Sequence, residues 1–373
     1  MNKLRDEDLA CWLLLFFTPG IGTRRISKLL AAGHTPHGII TNPERARHEL
    51  PAASYAFLKK PEWRQVDQHL RWAQLAANHI VTLHDPAYPS ALIQITDPPP
   101  VLFVTGDVSL LRNPQLAIVG SRNPSVYGKE AAFNLAQQLA AAGYTITSGL
   151  AQGIDTAAHQ GALHHAQGTT IAVIGTGQDH IYPHGNRQLA DVIAKRGAII
   201  SELPLGTGPH PGHFPRRNRI ISGMSAGTIV AQASLRSGSL ITARLALEQG
   251  RDVFAIPGSI HEAKSRGCHN LLKQGAILIE HGNDVISELK PNTGVTNLTH
   301  TNEDGRPPSI PRAYCGLEAG HIRVLENISD SPSSIDELIS RSGLTPEAVS
   351  SILLVLELQG VVTASNGRYT RLR

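Results

Sequence analysis

The chain has 373 residues, 41% hydrophobic and 17% charged, which is enough apolar material for a sizeable core in two or three domains and excludes bulk disorder. A formal net charge of +4 and a pI near 9.0 permit a polyanionic partner and do not require one. The three cysteines, Cys11, Cys268 and Cys315, are dispersed with no CxxC pair, which argues against a disulfide framework or a zinc ribbon and suits a reducing cytoplasm.

The N-terminus carries Asp6, Glu7 and Asp8 ahead of any apolar run. The stretch Leu9 to Phe17 is too short to span a bilayer and has no small-residue cleavage pattern, so a soluble cytoplasmic protein with no membrane partner is expected. Residues 1–80 read as a helical domain broken at Pro19-Gly20, Gly33, Asn42-Pro43 and Pro51. Within it, Thr18-Pro19-Gly20-Ile21-Gly22 followed by Arg24, Arg25 and Lys28 has the composition of a helix-hairpin-helix, whose glycine turn offers backbone N–H groups to a phosphate. An ordinary glycine turn in a helical protein–protein module explains the same residues.

Residues 81–289 change character. Two extended runs, His79 to His84 and Val101 to Thr105, flank a Pro98-Pro99-Pro100 spacer. Short β-branched runs then alternate with helix-like ones. The strands are predicted at 116–119, 144–147, 170–174, 198–200, 228–231, 252–256 and 276–279, and helices at Lys129 to Ala142, Asp155 to Ala166, Asn186 to Arg196 and Ser239 to Gln249. This rhythm predicts an α/β domain with an extended, Rossmann-like, doubly wound parallel sheet. Residues 290–312 are polar and rich in Thr, Asn and Pro, the composition of a linker. Residues 313–373 read as a winged helix: helices at Leu317 to Ile328, Ser334 to Ser340 and Pro346 to Leu358, then a hairpin through Asn366-Gly367. The third helix of such domains often reads duplex DNA. Here it has no Lys or Arg and carries Glu347 and Glu357, which favours a protein contact.

Ligands of a parallel sheet bind beyond the carboxyl ends of its strands. Small residues and hydroxyls gather there: Gly120-Ser121-Arg122 after the first core strand, Ser148-Gly149-Leu150-Ala151-Gln152-Gly153 after the second, Gly175-Thr176-Gly177 after the third, Ser237-Gly238-Ser239 after the fifth and Pro257-Gly258 after the sixth. Glycine lets backbone N–H groups approach an anion, and the helix N-termini that follow favour negative charge. No GxGxxG follows the first strand and Ser148 stands where a ribose-binding acid is expected, so a dinucleotide is disfavoured. The cation Arg122 occupies the first loop instead. The stretch His213-Phe214-Pro215-Arg216-Arg217-Asn218-Arg219 sets three arginines around one aromatic, a composition for stacking on and neutralising a single strand. A solvated basic turn with Phe214 in the core is the plainer reading of that stretch alone.

No catalytic set, metal site or cofactor is assigned. Asp155, Asp179 and Glu202 lie near the loops and could serve as acid or base on a nucleotide, although Asp155 is more simply a helix N-cap. His159 and His164 are not at a helical metal-pair spacing, and no GxSxG or Walker A motif occurs.

Taken together, Ala117-Ile118-Val119-Gly120-Ser121-Arg122, Ser148-Gly149-Leu150-Ala151, Gly153-Ile154-Asp155, Tyr182-Pro183, Phe214-Pro215, Arg217-Asn218-Arg219, Ser237-Gly238-Ser239-Leu240-Ile241-Thr242 and Ala255-Ile256-Pro257-Gly258 resemble the DNA-processing protein A family, in the family's order over most of residues 115–280. The flanking segments are similar too, a sterile-alpha-motif-like helical domain before and a winged helix after. The resemblance implies a non-enzymatic protein that binds single-stranded DNA taken up in natural transformation, dimerises through the Rossmann-like domain and loads the RecA recombinase onto that DNA. It implies that Arg122 clamps a phosphate, Gly120 and Ser121 supply donors, Phe214 stacks a base, and Arg217 and Arg219 line the groove. Ser148, Gly149, Gly153, Arg216, Asn218, Ser237, Gly238 and Ser239 complete the expected DNA-binding set. Two positions depart from the family pattern: Gln152 where Arg is common and Gln232 where Glu is common. They are expected to mark a charge pair of relatives, lost here as a unit. A nucleotide hydrolase acting on nucleoside monophosphates and a protein adaptor acting through the winged helix are the competing functions.

Overall fold

The computed structural model describes residues 3–289, 321, 324–325, 327–328, 333–358, 362–365 and 368–371. The expected linker, most of the helix expected at Leu317 to Ile328 and the Asn366-Gly367 turn lie outside the described residues. The chain divides into two compact units, Met1–Leu298 and Thr299–Arg373.

The first unit opens with five helices, α1 (Lys3–Phe17), α2 (Thr23–Ala31), α3 (Pro36–Thr41), α4 (Ala52–Lys59) and α5 (Arg64–Ala73). Gly20 at φ +77° makes the turn between α1 and α2, as the glycine pattern predicts. Strands β1 (Asn78–Thr82) and β2 (Val101–Gly106) follow, with the one-turn α6 (Ser90–Ile93) between them. Leu13 and Leu14 of α1 and Val66 of α5 share one apolar cluster with Ile80, Val101 and Phe103, so the helices are anchored to the edge of the sheet.

Then come β3 (Gln115–Val119), α7 (Val126–Ala141), β4 (Thr145–Ser148), α8 (Ile154–His164), β5 (Thr170–Val173), α9 (Arg187–Arg196), β6 (Ala198–Ser201), α10 (His213–Met224), β7 (Gly227–Val230), α11 (Ser239–Glu248), β8 (Asp252–Ala255), α12 (Arg266–Lys273), β9 (Ile277–Leu278) and α13 (Gly282–Glu288). The sheet order is β1-β2-β6-β5-β4-β3-β7-β8-β9. The strands from β3 onward pair in parallel, as the alternation predicts. The two earlier runs join the same sheet as antiparallel edge strands, β2 on β6 and β1 on β2. Antiparallel neighbours need no crossover helix, and the spacer between β1 and β2 holds only one helical turn.

Strand β3 alternates strictly. Leu116 and Ile118 point into the cluster with α7, α8 and α13, while Ala117 and Val119 point into the cluster with α10, α11 and α12. Connections run outward from β3 on one side to β6 and then return to β7 on the other. The topological switch therefore lies between β3 and β7, where a doubly wound sheet leaves a crevice. The stretch 213–219, expected to stack on and neutralise a single strand, with a solvated basic turn as the alternative, is the start of α10. Pro215 does not prevent this, because first-turn N–H groups have no intrahelical acceptor to lose.

In the second unit, Ile335–Ser342 and Pro346–Leu358 are helices. Ser334 and Glu337 form a reciprocal capping box, and Gly343 at φ +67° ends the first helix. Strands β10 (Ser333–Ser334), β11 (Val362–Ser365) and β12 (Arg368–Arg371) make a small antiparallel sheet. Leu338, Val349, Leu353 and Val362 lie in its core. This is a winged helix.

Candidate nucleic-acid interface

The first loop leaves β3 at the switch point. Its path is set by Gln232, at the end of β7. The Gln232 carbonyl accepts the Ser121 N–H at 2.7 Å, its Oε1 accepts the Ser125 N–H at 2.8 Å, and its Nε2 donates to Ser125 Oγ at 2.8 Å. Ser125 in turn caps α7 by accepting the Gly128 N–H at 3.1 Å. Gly120 and Gly128 are tight-contact positions: a Cβ would sit 2.6 Å from Ile154 at the first and 2.6 Å from Gln232 Oε1 at the second. The loop is thus held rigidly from behind, and Arg122 is left exposed at its tip.

Gly153 stands at φ +83° against the Ser121 and Arg122 carbonyls, where a Cβ has no room. The Ile154 N–H donates to the Ser121 carbonyl at 3.1 Å. The loops after β3 and β4 are therefore locked to one another, and the N-terminus of α8 opens beside Arg122.

Phe214 is half-buried in the first turn of α10, its ring against Gly175, where an added Cβ would come within 3.0 Å of it. The Arg122 guanidinium lies 5.9 Å from the Phe214 ring centroid, within cation–π range. Tyr182, 43% exposed, lies 5.6 Å from the same ring at an interplanar angle of 41°. A cation, a half-open ring and a second exposed ring thus stand in succession along the crevice. Tyr182 was absent from the sequence-derived site, although Tyr182-Pro183 was among the motif matches. Its place beside Phe214 depends on the β5–α9 loop folding back over α10, which no local pattern shows.

Several predicted residues lie beneath this rim, and their roles are corrected. Arg217 is 6% exposed; it donates to the Gly149 carbonyl at 2.5 Å and to the Val173 carbonyl. Arg219 is 5% exposed; it donates to Glu202 and to the Asp97 carbonyl at 2.7 Å. Both guanidiniums are consumed in bracing loops and are not left free for a ligand. Arg216 is exposed and shares Glu202, its Nε 3.3 Å from Oε1. Asn218 is half-buried between them. Ser148 is fully buried and its hydroxyl donates to the Ile118 carbonyl at 2.6 Å, so it ties β4 to β3. The Gly149 N–H, expected to meet an anion, donates to Asp155 Oδ2 at 3.1 Å, with the Ala151 N–H at 3.3 Å on the same oxygen. Gly149 is instead the place where the Arg217 guanidinium passes against the backbone. Ser237 and Ser239 hydrogen-bond each other at 2.7 Å across Gly238, which precedes α11 on the neighbouring β7 loop.

The three carboxylates considered as acids or bases are all engaged. Asp155 is not an N-cap; it lies within the first turn of α8 and accepts loop N–H groups. Burial pushes its carboxyl up, against the opposing Arg217 charge and those N–H donors. Burial likewise raises Glu202, against Arg219 and Arg216. Asp179 accepts the Gly206 N–H on both oxygens at 2.9 Å. His159 is buried, with Nδ1 2.7 Å from Thr170 Oγ1, and burial together with the Arg217 charge pushes it down to about 3. Gln152 is exposed and Gln232 is buried on Ser125, so the two glutamines occupy different environments.

Comparison with known proteins gives concordant results. Residues 79–290 match the family model of DNA recombination-mediator protein A, and residues 307–368 that of the DprA winged helix domain. The chain is 41% identical over 320 residues to protein Smf of Escherichia coli, covering 85% of this chain and 83% of that one. It is 50% identical over 206 residues to the DNA processing protein DprA of Streptococcus pneumoniae, 55% of this chain and 72% of the relative. Among solved structures, that of DNA processing protein A from Streptococcus pneumoniae aligns with a TM-score of 0.62 at 38% identity, covering 78% of this chain and 99% of the other. A structure of DNA processing protein A from Helicobacter pylori, concerned with its single-stranded DNA binding mode, aligns with a TM-score of 0.52 at 36% identity over 57% of this chain and 95% of the other.

Proposed function

The chain belongs to the DNA recombination-mediator protein A family, and we propose that it binds single-stranded DNA along the crevice at the loop edge of the sheet, from the β3 loop to the β5–α9 loop. The observation that carries this reading is the succession Arg122, Phe214, Tyr182 on one open rim. A single strand offers alternating phosphates and π-faces. An exposed cation beside two accessible rings meets both without reading sequence. The start of α8, held against the Ser121 and Arg122 carbonyls at Gly153, adds the positive end of a helix to the same rim. The engaged state of Asp155, Asp179 and Glu202 supports binding rather than hydrolysis.

In this reading the protein acts in the cytoplasm as a homodimer formed through the Rossmann-like domain, protects DNA entering in natural transformation, and loads RecA onto it. The protein from Helicobacter pylori, whose single-stranded DNA binding has been described, supports the ligand class. The winged helix serves a protein contact: among its described residues, Pro346–Leu358 has no cation and exposes Leu354 and Val355.

The test is binding of a labelled single strand across a salt series by wild type and Arg122→Ala. Weaker binding and a slope of log affinity against log salt shallower by about 0.7, the value of one single-strand phosphate, are expected. Unchanged affinity and slope would remove Arg122 from the site. RecA nucleation on strands already coated by a single-strand-binding protein tests the loading step, which fails if the protein does not accelerate it.

A further inference from the structure

A cleft of about 740 Å³ opens between α2 and the α10–α11 pair. Arg24, Arg25 and Lys28 of α2 line one wall and Arg216 and Arg219 of α10 the other. Phe214 and Arg216 are two residues apart on α10, about 200° around the helix, so the aromatic rim and this cleft lie on opposite sides of one helix. Phe214 and Arg217 share the face toward the β4 and β5 loops, whereas Arg216 and Arg219 share the face toward the cleft.

The charges in the cleft are not balanced among themselves. Glu202, behind it, is taken by Arg216 and Arg219. Asp97 lies on Arg219, 3.4 Å from its Nε, and Glu248 is paired with Arg244 at 2.9 Å. Arg25 donates to the Gly20 carbonyl at 2.6 Å. Among the described residues no carboxylate lies within ion-pair reach of Arg24, Arg25 or Lys28, and all three are exposed. The nine-residue α2 begins at this cleft with Gly22 and Thr23, has no side-chain cap and no acid in its first turn, and so presents an uncompensated positive end. Arg219, 5% exposed, also lines the cleft, its charge already met by Glu202 and Asp97.

We propose that this cleft is a second phosphate-binding site, which holds the backbone of the same single strand after it leaves the crevice and crosses α10. The inference rests on the crevice itself binding a single strand. A helix is about 10–12 Å across, so the crossing takes about three nucleotides at the ~3.4 Å spacing of a duplex strand, and fewer when the strand is stretched. Arg216, at the exposed crest of α10, bridges the two sites.

Labelled single strands of increasing length, titrated with wild type, Arg24→Ala/Lys28→Ala and Arg122→Ala across a salt series, test this. Strands too short to cross α10 are expected to bind wild type and the double variant alike. Longer strands bind wild type more tightly, at one strand per chain, and the double variant loses that gain. Its salt slope on long strands is shallower by up to about 1.4, two phosphates at about 0.7 each. Both substituted side chains are exposed, and an unchanged melting curve confirms that the fold is kept. Equal long-strand affinity and slope in wild type and the double variant overturn the cleft; a continued loss with Arg122→Ala then leaves the crevice reading intact. Two short strands per chain, one of them lost in the double variant, overturn the shared path and make the cleft a site for a separate strand. A wild type that binds no strand overturns both.

Discussion

Two layers of side chains surround the loop edge of the sheet, and both contain arginine. In the rim layer, Arg122 and Tyr182 are exposed and Phe214 is half-buried. In the floor layer, Ser148, Asp155, Arg217 and Arg219 are buried and bonded to backbone carbonyls, to N–H groups or to one another. An arginine in the floor has its donors spent on carbonyls that would otherwise be unsatisfied. An arginine in the rim keeps them for a ligand. The comparison teaches that the number of cations near a crevice does not measure its capacity for phosphate; the number with uncommitted donors does. It also explains how loops so rich in glycine stay rigid, since Arg217 fastens the β4 and β5 loops from below and Gln232 fastens the β3 loop from the side.

The sharpest way to break this division is Arg217→Met. It leaves the Gly149 and Val173 carbonyls unsatisfied and Asp155 buried without its compensating charge. A loss of about 3–5 kcal/mol of stability is expected from chemical denaturation. A variant as stable as wild type that binds DNA poorly would move Arg217 from floor to rim. Tyr182→Ala is the converse experiment. An exposed ring supports little of the fold, so stability should stay within about 0.5 kcal/mol, while single-strand affinity falls by about 1–3 kcal/mol, the value of one stacked base. Loss of stability without loss of affinity would place Tyr182 in the floor.

The floor also makes a pH prediction through His159, held neutral down to about pH 3 by burial and by the Arg217 charge. The unfolded imidazole titrates near 6.5 and the folded one far below. The associated stability is therefore complete above pH 6.5 and is lost as pH falls toward 3, with a slope of up to about 1.4 kcal/mol per pH unit. Asp155, raised by burial, acts in the opposite sense, its contribution falling as pH rises, and it is common to both proteins compared. His159→Gln should show a shallower acid slope in denaturation at stepped pH; identical slopes would mean that the imidazole protonates in the folded protein. The smallest effect is expected from Gln152→Arg. Gln152 is exposed next to Gly153, on the loop locked to Arg122, so one added cation there should steepen the single-strand salt slope by about 0.7. Gln232 is buried on Ser125, so adding Gln232→Glu should leave that gain unchanged. A gain that appears only in the double change would restore the paired reading of the two positions.

Much of this architecture is legible in the chain. The β-branched runs of β3 to β8 and the intervening helices follow from periodicity, because strands covered on both faces must be continuously apolar. The strand-end loops, Arg122 and Phe214 are visible as glycine, cation and aromatic in positions where a parallel sheet always exposes its loops. The start of α10 was hidden by Pro215 and three arginines, which look like a turn when the partners that bury Arg217 and Arg219 are not in view. Those partners, Gly149, Val173, Asp97 and Glu202, come from four other segments.

Sequence alone therefore determined the fold class, the edge of the sheet at which a ligand is met, and the family, since each depends on local periodicity or on motifs in fixed order. Tertiary structure decided which arginines belong to the protein and which to its ligand. It also decided that Tyr182 stands beside Phe214, and that α2 faces α10 across a cation-lined cleft. The physical reason is that burial and hydrogen-bond partnership are properties of the space around a side chain, contributed by residues tens of positions away, and an isolated arginine codon carries no record of them.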